Sequence, residues 1–191
     1  MNPSRRTLLH GAAALGLAAN HLSAAAQTLP YQDLDTPYVT TPQVVVDAML
    51  EMAQVRATDR LLDLGSGDGR IVITAASRYG AHGRGVDIDP RLVSLANQNA
   101  ARAGVADRAK FAVEDLFKTD LTQATVITMY LLPDVNMKLR PALMRLARGT
   151  RIVSHDWGMG DWEPDRTQRI DTPEKRVGIH KYSDLMFWVV R

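Results

Sequence analysis

Hydrophobic and polar positions along the chain fall into two alternating patterns. Short apolar runs predict buried strands, and between them apolar residues recur every three or four positions, as on one face of a helix. The strands are predicted at residues 60–64, 83–88, 110–114, 124–132, 150–155, 177–182 and 185–190. The helices are predicted at residues 42–53, 70–79, 90–103 and 133–147.

Strands that alternate with helices predict an α/β fold, because each helix carries the chain back to start the next parallel strand. We expect a doubly wound, Rossmann-like and mostly parallel seven-stranded sheet. Only Ser183 and Asp184 separate the last two strands, which should form a hairpin that adds an antiparallel terminal strand. The charged residues 166–176 are expected to be a solvated connector. Ligands of such sheets bind beyond the carboxyl ends of the strands.

The first 26 residues differ from the rest of the chain and resemble an export signal. Arg5 and Arg6 precede a run of alanine, leucine and glycine that ends in three alanines at residues 24–26. Paired arginines before such a run are typical of a twin-arginine signal peptide, and the run is too short for a stable membrane span. We expect a signal peptide at residues 1–26 and a periplasmic or secreted protein. The alternative is a cytoplasmic protein whose leader is not cleaved or whose start is mis-assigned.

Composition excludes several kinds of site. The chain has 191 residues, of which 46% are hydrophobic, enough for one domain with a core of its own. It has no cysteine, which excludes disulfides and thiolate sites, and no metal is expected because no histidine–carboxylate cluster has metal-ligand spacing. Residues 27–191 carry no net charge, so no nucleic-acid partner is expected. The oligomeric state is left open.

A glycine-rich turn follows the first predicted strand. In LLDLGSGDGR, residues 61–70, the glycines Gly65, Gly67 and Gly69 can let the backbone approach a nucleotide. Arg70, however, stands where the dinucleotide fingerprint has its third glycine. This departure counts against NAD and leaves S-adenosylmethionine or a purely structural turn.

Acidic residues at three predicted strand ends favour S-adenosylmethionine. Asp63 lies near the end of the first strand, Asp87 at the end of the second, and Glu114 with Asp115 at the end of the third. A carboxylate at the end of the second strand can bond both ribose hydroxyls, and one after the third can accept from an adenine amino group. Carboxylates repel the phosphates of NAD and attract the sulfonium and ammonium of S-adenosylmethionine.

These motifs resemble those of a known family. Residues 63–70, 85–90 and 113–117 are similar to the successive cofactor motifs of class I S-adenosylmethionine-dependent methyltransferases. PYVTTP at residues 37–42 and the segment 149–165, which contains SHDW, are similar to the small archaeal and mitochondrial-type protein lysine methyltransferases. The resemblance extends over essentially all of the chain after the leader.

The resemblance implies an N-terminal arm and helix at residues 27–53 and a methyltransferase catalytic domain at residues 54–191. It implies that Asp63 stabilises the ammonium of the cofactor, directly or through water, while Asp87 binds its ribose. The implied cofactor-binding residues are Thr41, Asp63, Gly65, Ser66, Gly67, Asp87, Glu114 and Asp115. Thr41 is also expected to N-cap the first helix, with Pro42 in its first turn.

The resemblance further implies methyl transfer to a lysine of a protein substrate. Lysine has an ordinary pKa of about 10.4 and must lose a proton first, and burial in an aromatic channel lowers that pKa. The expected catalytic residues are Tyr38 and Tyr130 at the mouth and His155 after the fifth strand, although His155 also suits a structural role. The alternatives are a small-molecule methyltransferase and a non-catalytic, adenosyl-nucleotide-binding periplasmic module.

Overall fold

The computed structural model describes residues 38–175 and 180–191. The predicted signal peptide, the arm up to residue 37 and residues 177–179 of the predicted sixth strand lie outside the described residues. The described part therefore begins in the arm and includes the whole predicted catalytic domain apart from residues 176–179.

Seven strands and four helices follow one another in the described residues. The strands are β1 (Arg60–Leu64), β2 (His82–Asp87), β3 (Ala109–Val113), β4 (Val126–Met129), β5 (Arg151–His155), β6 (Arg166–Asp171) and β7 (Tyr182–Val189). The helices are α1 (Gln43–Met52), α2 (Arg70–Tyr79), α3 (Pro90–Arg102) and α4 (Pro133–Leu143).

The strands form one sheet in the order β3-β2-β1-β4-β5-β7-β6. Strands β1 to β5 are parallel, and β7 runs antiparallel to both β5 and β6. The predicted fold class, a mostly parallel seven-stranded α/β sheet with an antiparallel end, is confirmed. The strand order reverses between β1 and β4, so the fold places a crevice beyond the carboxyl ends of these two strands.

Two apolar clusters hold the layers together, one on each face of the sheet. The first packs α1, α2 and α3 against the sheet, and the second packs α4 and the loops around it. Strand β1 contributes to both clusters, because Leu61 faces one side and Leu62 and Leu64 face the other. No described helix has the length and apolar character needed to span a bilayer.

Helix α1 forms because its apolar residues recur at helical spacing and bury one face. Val45, Val46 and Met49 are fully buried against the sheet and α2. The predicted N-cap at Thr41 is wrong, because Pro42 occupies the N-cap position and no side chain caps this helix. The Thr41 hydroxyl instead lies 3.4 Å from Nδ1 of His155, so Thr41 joins the arm to the end of β5.

The predicted end of the chain needs two corrections. The expected connector at residues 166–176 begins with strand β6, and the expected turn at Ser183 and Asp184 lies inside β7. Strand β6 lacks an apolar pattern because it is the edge of the sheet and exposes most of its side chains. Its pairing with β7 is reinforced by a two-bond ion pair between Arg169 and Asp184.

Two predicted elements are shorter than expected. Strand β4 covers Val126–Met129 rather than residues 124–132, because the chain leaves the sheet after Met129 and turns towards the crevice. Helix α4 ends at Leu143 rather than at residue 147, with Pro141 in its last turn. The connection between β3 and β4 contains no helix, so residues 114–117 remain beside the crevice.

Candidate functional site

A cavity of about 280 Å³ lies beyond the carboxyl ends of β1, β2 and β4, beneath the arm. This position is the one that the fold predicts for a ligand. Of the eleven residues predicted for the site, the cavity wall contains ten, namely Tyr38, Thr41, Asp63, Gly65, Ser66, Gly67, Asp87, Glu114, Asp115 and Tyr130. His155 is the exception.

The turn between β1 and α2 forms the floor of the cavity. Gly65 and Gly67 have positive φ angles of 74° and 52°, which residues other than glycine rarely adopt. A Cβ atom on Gly67 would lie 2.6 Å from the ring of Tyr38. The glycine at position 67 therefore serves both the turn and the close approach of the arm. The Ser66 hydroxyl is buried and lacks a hydrogen-bond partner among the described residues.

Asp63 is a buried carboxyl group at the base of the cavity. Its side chain is 2% exposed and accepts a hydrogen bond of 2.7 Å from the Thr128 hydroxyl. Burial raises its pKa from an ordinary 3.8 to about 7, and the charges of Asp87 and Asp68 act in the same direction. No cation pairs with Asp63 among the described ion pairs. A ligand ammonium at this position would supply the missing positive charge.

The other predicted acids lie at the expected strand ends. Asp87 accepts from the backbone N–H groups of Gly67 at 2.8 Å and Asp89 at 3.0 Å, and burial raises its pKa. Glu114 forms an ion pair with Arg84. Asp115 accepts from the backbone N–H of Phe117 at 2.9 Å. These bonds fix the directions of the carboxyl groups along the cavity wall.

Tyr130 lies at the opposite wall, just after β4. Its hydroxyl donates to Oδ2 of Asp156 at 3.2 Å, and its ring packs on the His155 ring with centroids 3.8 Å apart. Burial, followed by the negative charge of Asp156, raises the pKa of Tyr130. The hydroxyl therefore stays protonated at neutral pH, and its oxygen can still accept a hydrogen bond from a ligand.

His155 lies behind Tyr130 and is fully buried. Its Nε2 is 2.8 Å from the Ser183 hydroxyl, and its Nδ1 faces Thr41. Burial lowers the pKa of His155 to about 4, so the ring is neutral at physiological pH. A direct catalytic role does not fit this placement, and the structural alternative fits better: His155 supports Tyr130 and ties the arm to β7.

Asp156 directly follows β5 and contacts Tyr130 from behind the cavity wall. Its φ is +63°, which is rare for a residue other than glycine, and such strain is often retained at functional sites. Its carboxylate accepts from Tyr130, from Nζ of Lys175 at 2.6 Å and from the backbone of Asp184 at 3.1 Å. Lys175 and Asp184 come from the last fifth of the chain, so no local sequence signal could reveal this cluster.

Among residues 38–175 and 180–191, no three histidine or carboxylate side chains come together in a group that could hold a metal ion. The described site instead combines buried carboxyl groups, two tyrosines and the backbone of the glycine turn, which faces the cavity without side chains at Gly65 and Gly67. This set suits a cationic organic ligand with hydroxyl and amino groups.

Residues 63–166 match the family model of the ANTKMT methyltransferase domain, which is more than half of the chain. The chain belongs to this family. This methyltransferase is 39% identical, over 148 residues, to a protein-lysine N-methyltransferase of Saccharolobus islandicus. The match covers 76% of this chain and 92% of that protein.

An animal relative is matched over less of its length. The methyltransferase is 33% identical over 132 residues to the adenine nucleotide translocase lysine N-methyltransferase of Mus musculus. This match covers 69% of the chain but 57% of the mouse protein. The chain thus spans most of the archaeal relative and little more than half of the mouse one.

A crystal structure described as an RNA methyltransferase from Salinibacter ruber, in complex with S-adenosyl-L-homocysteine, is also similar. It is 52% identical, with a TM-score of 0.72, and the match covers 80% of this chain and 94% of that one. S-adenosylhomocysteine is what remains of S-adenosylmethionine after methyl transfer. With the family match, this similarity confirms a class I methyltransferase whose cofactor is S-adenosyl-L-methionine.

Proposed function

We propose that this methyltransferase transfers a methyl group to the ε-amino group of a lysine in a protein substrate. The similarity to the archaeal protein-lysine N-methyltransferase, which covers 92% of that protein, supports the class of acceptor. The observation that carries the proposal is Tyr130 at the cavity wall, whose hydroxyl donates to Asp156 behind it at 3.2 Å. The hydroxyl oxygen of Tyr130 offers an amine a neutral acceptor, and the Asp156–Lys175 ion pair holds that hydroxyl in place.

The cavity residues fit the cofactor in three places. We assign the ammonium of its methionine part to Asp63, because this carboxyl group is buried and the described residues provide no cation that pairs with it. We assign the ribose to Asp87, because two backbone N–H groups hold its carboxyl group in a fixed orientation. We assign the adenine to Asp115, which lies beside the Glu114–Arg84 ion pair. When bound, the cofactor supplies a methyl group on a positively charged sulfur.

The two tyrosines act on the acceptor amine by position rather than by proton transfer. Burial raises the pKa of both Tyr38 and Tyr130, so neither hydroxyl is ionised at neutral pH. The lysine ammonium loses its proton to solvent as it is desolvated between the rings, and the hydroxyl oxygen then accepts from an N–H of the neutral amine. The nitrogen lone pair is left free to form the new N–C bond as the S–C bond breaks.

The test is the location of the transferred label. The full chain is incubated with methyl-labelled S-adenosylmethionine and, separately, with a protein extract, purified RNA and the small-molecule fraction, and the products are analysed by mass spectrometry. Label on lysine ε-nitrogen is the expected result. Label confined to RNA would overturn the proposal in favour of the activity by which the Salinibacter ruber protein is described. Label in small molecules, or none, would overturn it as well.

Matched variants make the result specific to the site. Asp87→Ala is expected to abolish labelling, because it removes the carboxyl group assigned to the ribose. Asp107→Ala is the control: it removes an exposed carboxyl group near the opposite end of the sheet, where its only described ion pair, with Arg108, is a loose 3.7 Å. Equal activity of the two variants would contradict the cofactor assignment.

We further propose that the protein is exported after it has folded. The paired arginines and the alanine-rich run of residues 1–26 support this location. Cell fractionation followed by N-terminal mass spectrometry is expected to find a periplasmic protein that begins near residue 27. An uncleaved cytoplasmic protein would contradict the export proposal and leave the proposed reaction untouched.

A further inference from the structure

Arg70, the residue that replaces the third glycine of a dinucleotide fingerprint, lies at the wall of the cofactor cavity. It is the first residue of α2, directly after the glycine turn. Its guanidinium points back across this turn, and Nη1 donates to the backbone carbonyl of Thr41 at 2.8 Å. One side chain of α2 therefore holds the backbone of the arm.

Asp68 fixes the orientation of Arg70. Nε of Arg70 donates to Oδ1 of Asp68 at 2.9 Å, and Nη2 donates to Oδ2 at 2.6 Å. The backbone carbonyl of Asp68 in turn accepts from the side chain of Asn99 on α3 at 3.0 Å. Such a two-pronged pairing fixes the plane of the guanidinium, so its remaining N–H groups are directed at the arm.

The position of Arg70 is electrostatically unfavourable for helix α2 alone. A positive side chain in the first turn of a helix faces the positive end of the helix dipole. A lysine at this position could not form the same two-bond pairing with the Asp68 carboxylate and still donate to the Thr41 carbonyl. An arginine here is explained by its contacts outside the helix rather than by the helix itself.

The arm segment that Arg70 holds forms part of the cavity wall. Residues 38–41 all line the cavity. At one end of this segment the ring of Tyr38 lies against Gly67, and at the other end Arg70 bonds the Thr41 carbonyl. The segment is therefore held at both ends against the turn that forms the floor of the cavity.

We propose that Arg70 is a positioning residue that fastens the arm over the cavity and thereby sets how long the cofactor stays bound. It does not take part in methyl transfer itself. The proposal concerns the cofactor site that all members of this enzyme class share, so it holds whether the acceptor is a lysine or another group. Loss of the tether is expected to speed cofactor release without changing the chemical step.

The experiment compares three variants of the full chain. Arg70→Ala removes the bond to the Thr41 carbonyl, and Arg70→Lys retains the charge without the two-bond pairing to Asp68. Arg78→Ala is the control. Arg78 lies on the same helix and also joins it to α1, through an ion pair of 2.7 Å with Asp47, but it does not line the cavity. The dissociation constant and release rate of S-adenosylhomocysteine are measured by calorimetry and stopped-flow fluorescence, and KM and kcat by label transfer.

Arg70→Ala is expected to raise the dissociation constant, the release rate and the KM for the cofactor by about ten- to a hundredfold, which corresponds to the loss of one charged hydrogen bond. At saturating cofactor its kcat should stay within about threefold, and Arg70→Lys should fall in between. Arg78→Ala should match the parent protein. Tyr38→Ala combined with Arg70→Ala should be less than additive, because both residues hold the same segment.

Other outcomes would overturn the proposal. An unchanged release rate in Arg70→Ala would show that the arm is not held by this residue. A fall in kcat without a change in cofactor affinity would place Arg70 in the chemical step instead. Equal effects of Arg70→Ala and Arg78→Ala would show that general packing between α1 and α2 is responsible. These results leave the identity of the methyl acceptor unaffected, because the acceptor is tested by the location of the label.

Discussion

Replacing Asp63 by asparagine is expected to stabilise the cofactor-free protein above about pH 7 and to weaken cofactor binding. The pKa of Asp63 is raised by burial to about 7 in the folded protein, from an ordinary 3.8. Between these two values the folded chain keeps a proton that the unfolded chain has lost. Stability is therefore lost as the pH rises through this window, and above it a buried, uncompensated charge remains.

The magnitude follows from the size of this rise. About three pH units at about 1.4 kcal/mol each correspond to about 4 kcal/mol at pH 8 and above. Asparagine keeps the shape and the acceptor for Thr128, but its NH₂ group then lacks a partner, at a cost of about 1–3 kcal/mol. We expect a net gain of about 2 kcal/mol, or about 4–8 °C in Tm for a chain of this size.

The assay compares parent and variant at each pH, because the pH profile of the parent alone would mislead. The lowered pKa of His155, about 4 against an ordinary 6.5, acts with the opposite sign over nearly the same window. Its effect reduces stability as the pH falls, which offsets Asp63 and flattens the profile. The difference in Tm between Asp63→Asn and the parent should instead grow steadily from about pH 4 to about pH 8.

Thermal unfolding is repeated with S-adenosylmethionine to test the functional side. At about pH 8 the cofactor should raise the Tm of the parent more than that of Asp63→Asn, because only the parent offers a charge to the ligand ammonium. The reasoning is refuted if the variant is less stable than the parent at both ends of the pH range. It is also refuted if both proteins gain equally from the cofactor.

Three further predictions concern single residues of the site. Tyr130→Phe should lower kcat by about tenfold, because it removes one hydrogen bond to the acceptor amine. The affinity for S-adenosylhomocysteine, measured by calorimetry, should stay unchanged. An unchanged kcat would contradict the role of Tyr130 in positioning the amine. Gly67→Ala should reduce cofactor affinity by at least about tenfold. The Cβ of the alanine would collide with Tyr38, and the φ of this position is positive. An affinity equal to that of the parent would contradict the packing of Tyr38 against this turn. His155→Gln should gain about 3 kcal/mol relative to the parent as the pH falls from about 6.5 to about 4, because the parent loses stability there through the lowered pKa of His155. Urea unfolding of both proteins at each pH measures this difference, and a difference that does not change with pH would contradict the assignment.

The alternating pattern was sufficient to predict most of the sheet. A largely apolar run such as that of β4, Val126–Met129, is buried on both faces and leaves a clear signal. Strand β6 left none, because an edge strand has one partner and exposes the residues Arg166–Asp171 to solvent. The sequence therefore predicts a connector at these residues, whereas the structure has β6 there as the hairpin partner of β7.

The residues that line the cavity are predictable because they lie at strand ends in short local motifs. The turn at residues 65–69 and the acid Asp87 follow directly from the order of strands and helices. Asp156 and Arg70 were not assigned functional roles, because their contacts join parts of the chain that are far apart in sequence. The departure of Arg70 from the dinucleotide fingerprint argues against NAD but does not by itself indicate a contact with the arm.

The bridge that His155 makes between Thr41 and Ser183 bears on how the enzyme is made. Thr41 stands at the front of the described chain, and Ser183 lies in β7, which is inserted between β5 and β6. A ribosome-bound chain that has not yet produced residues 182–189 lacks both this bridge and the backbone that braces Asp156. We therefore expect the nascent chain to hold its cofactor site in the final geometry only after residues 182–189 have been synthesised and have left the ribosome.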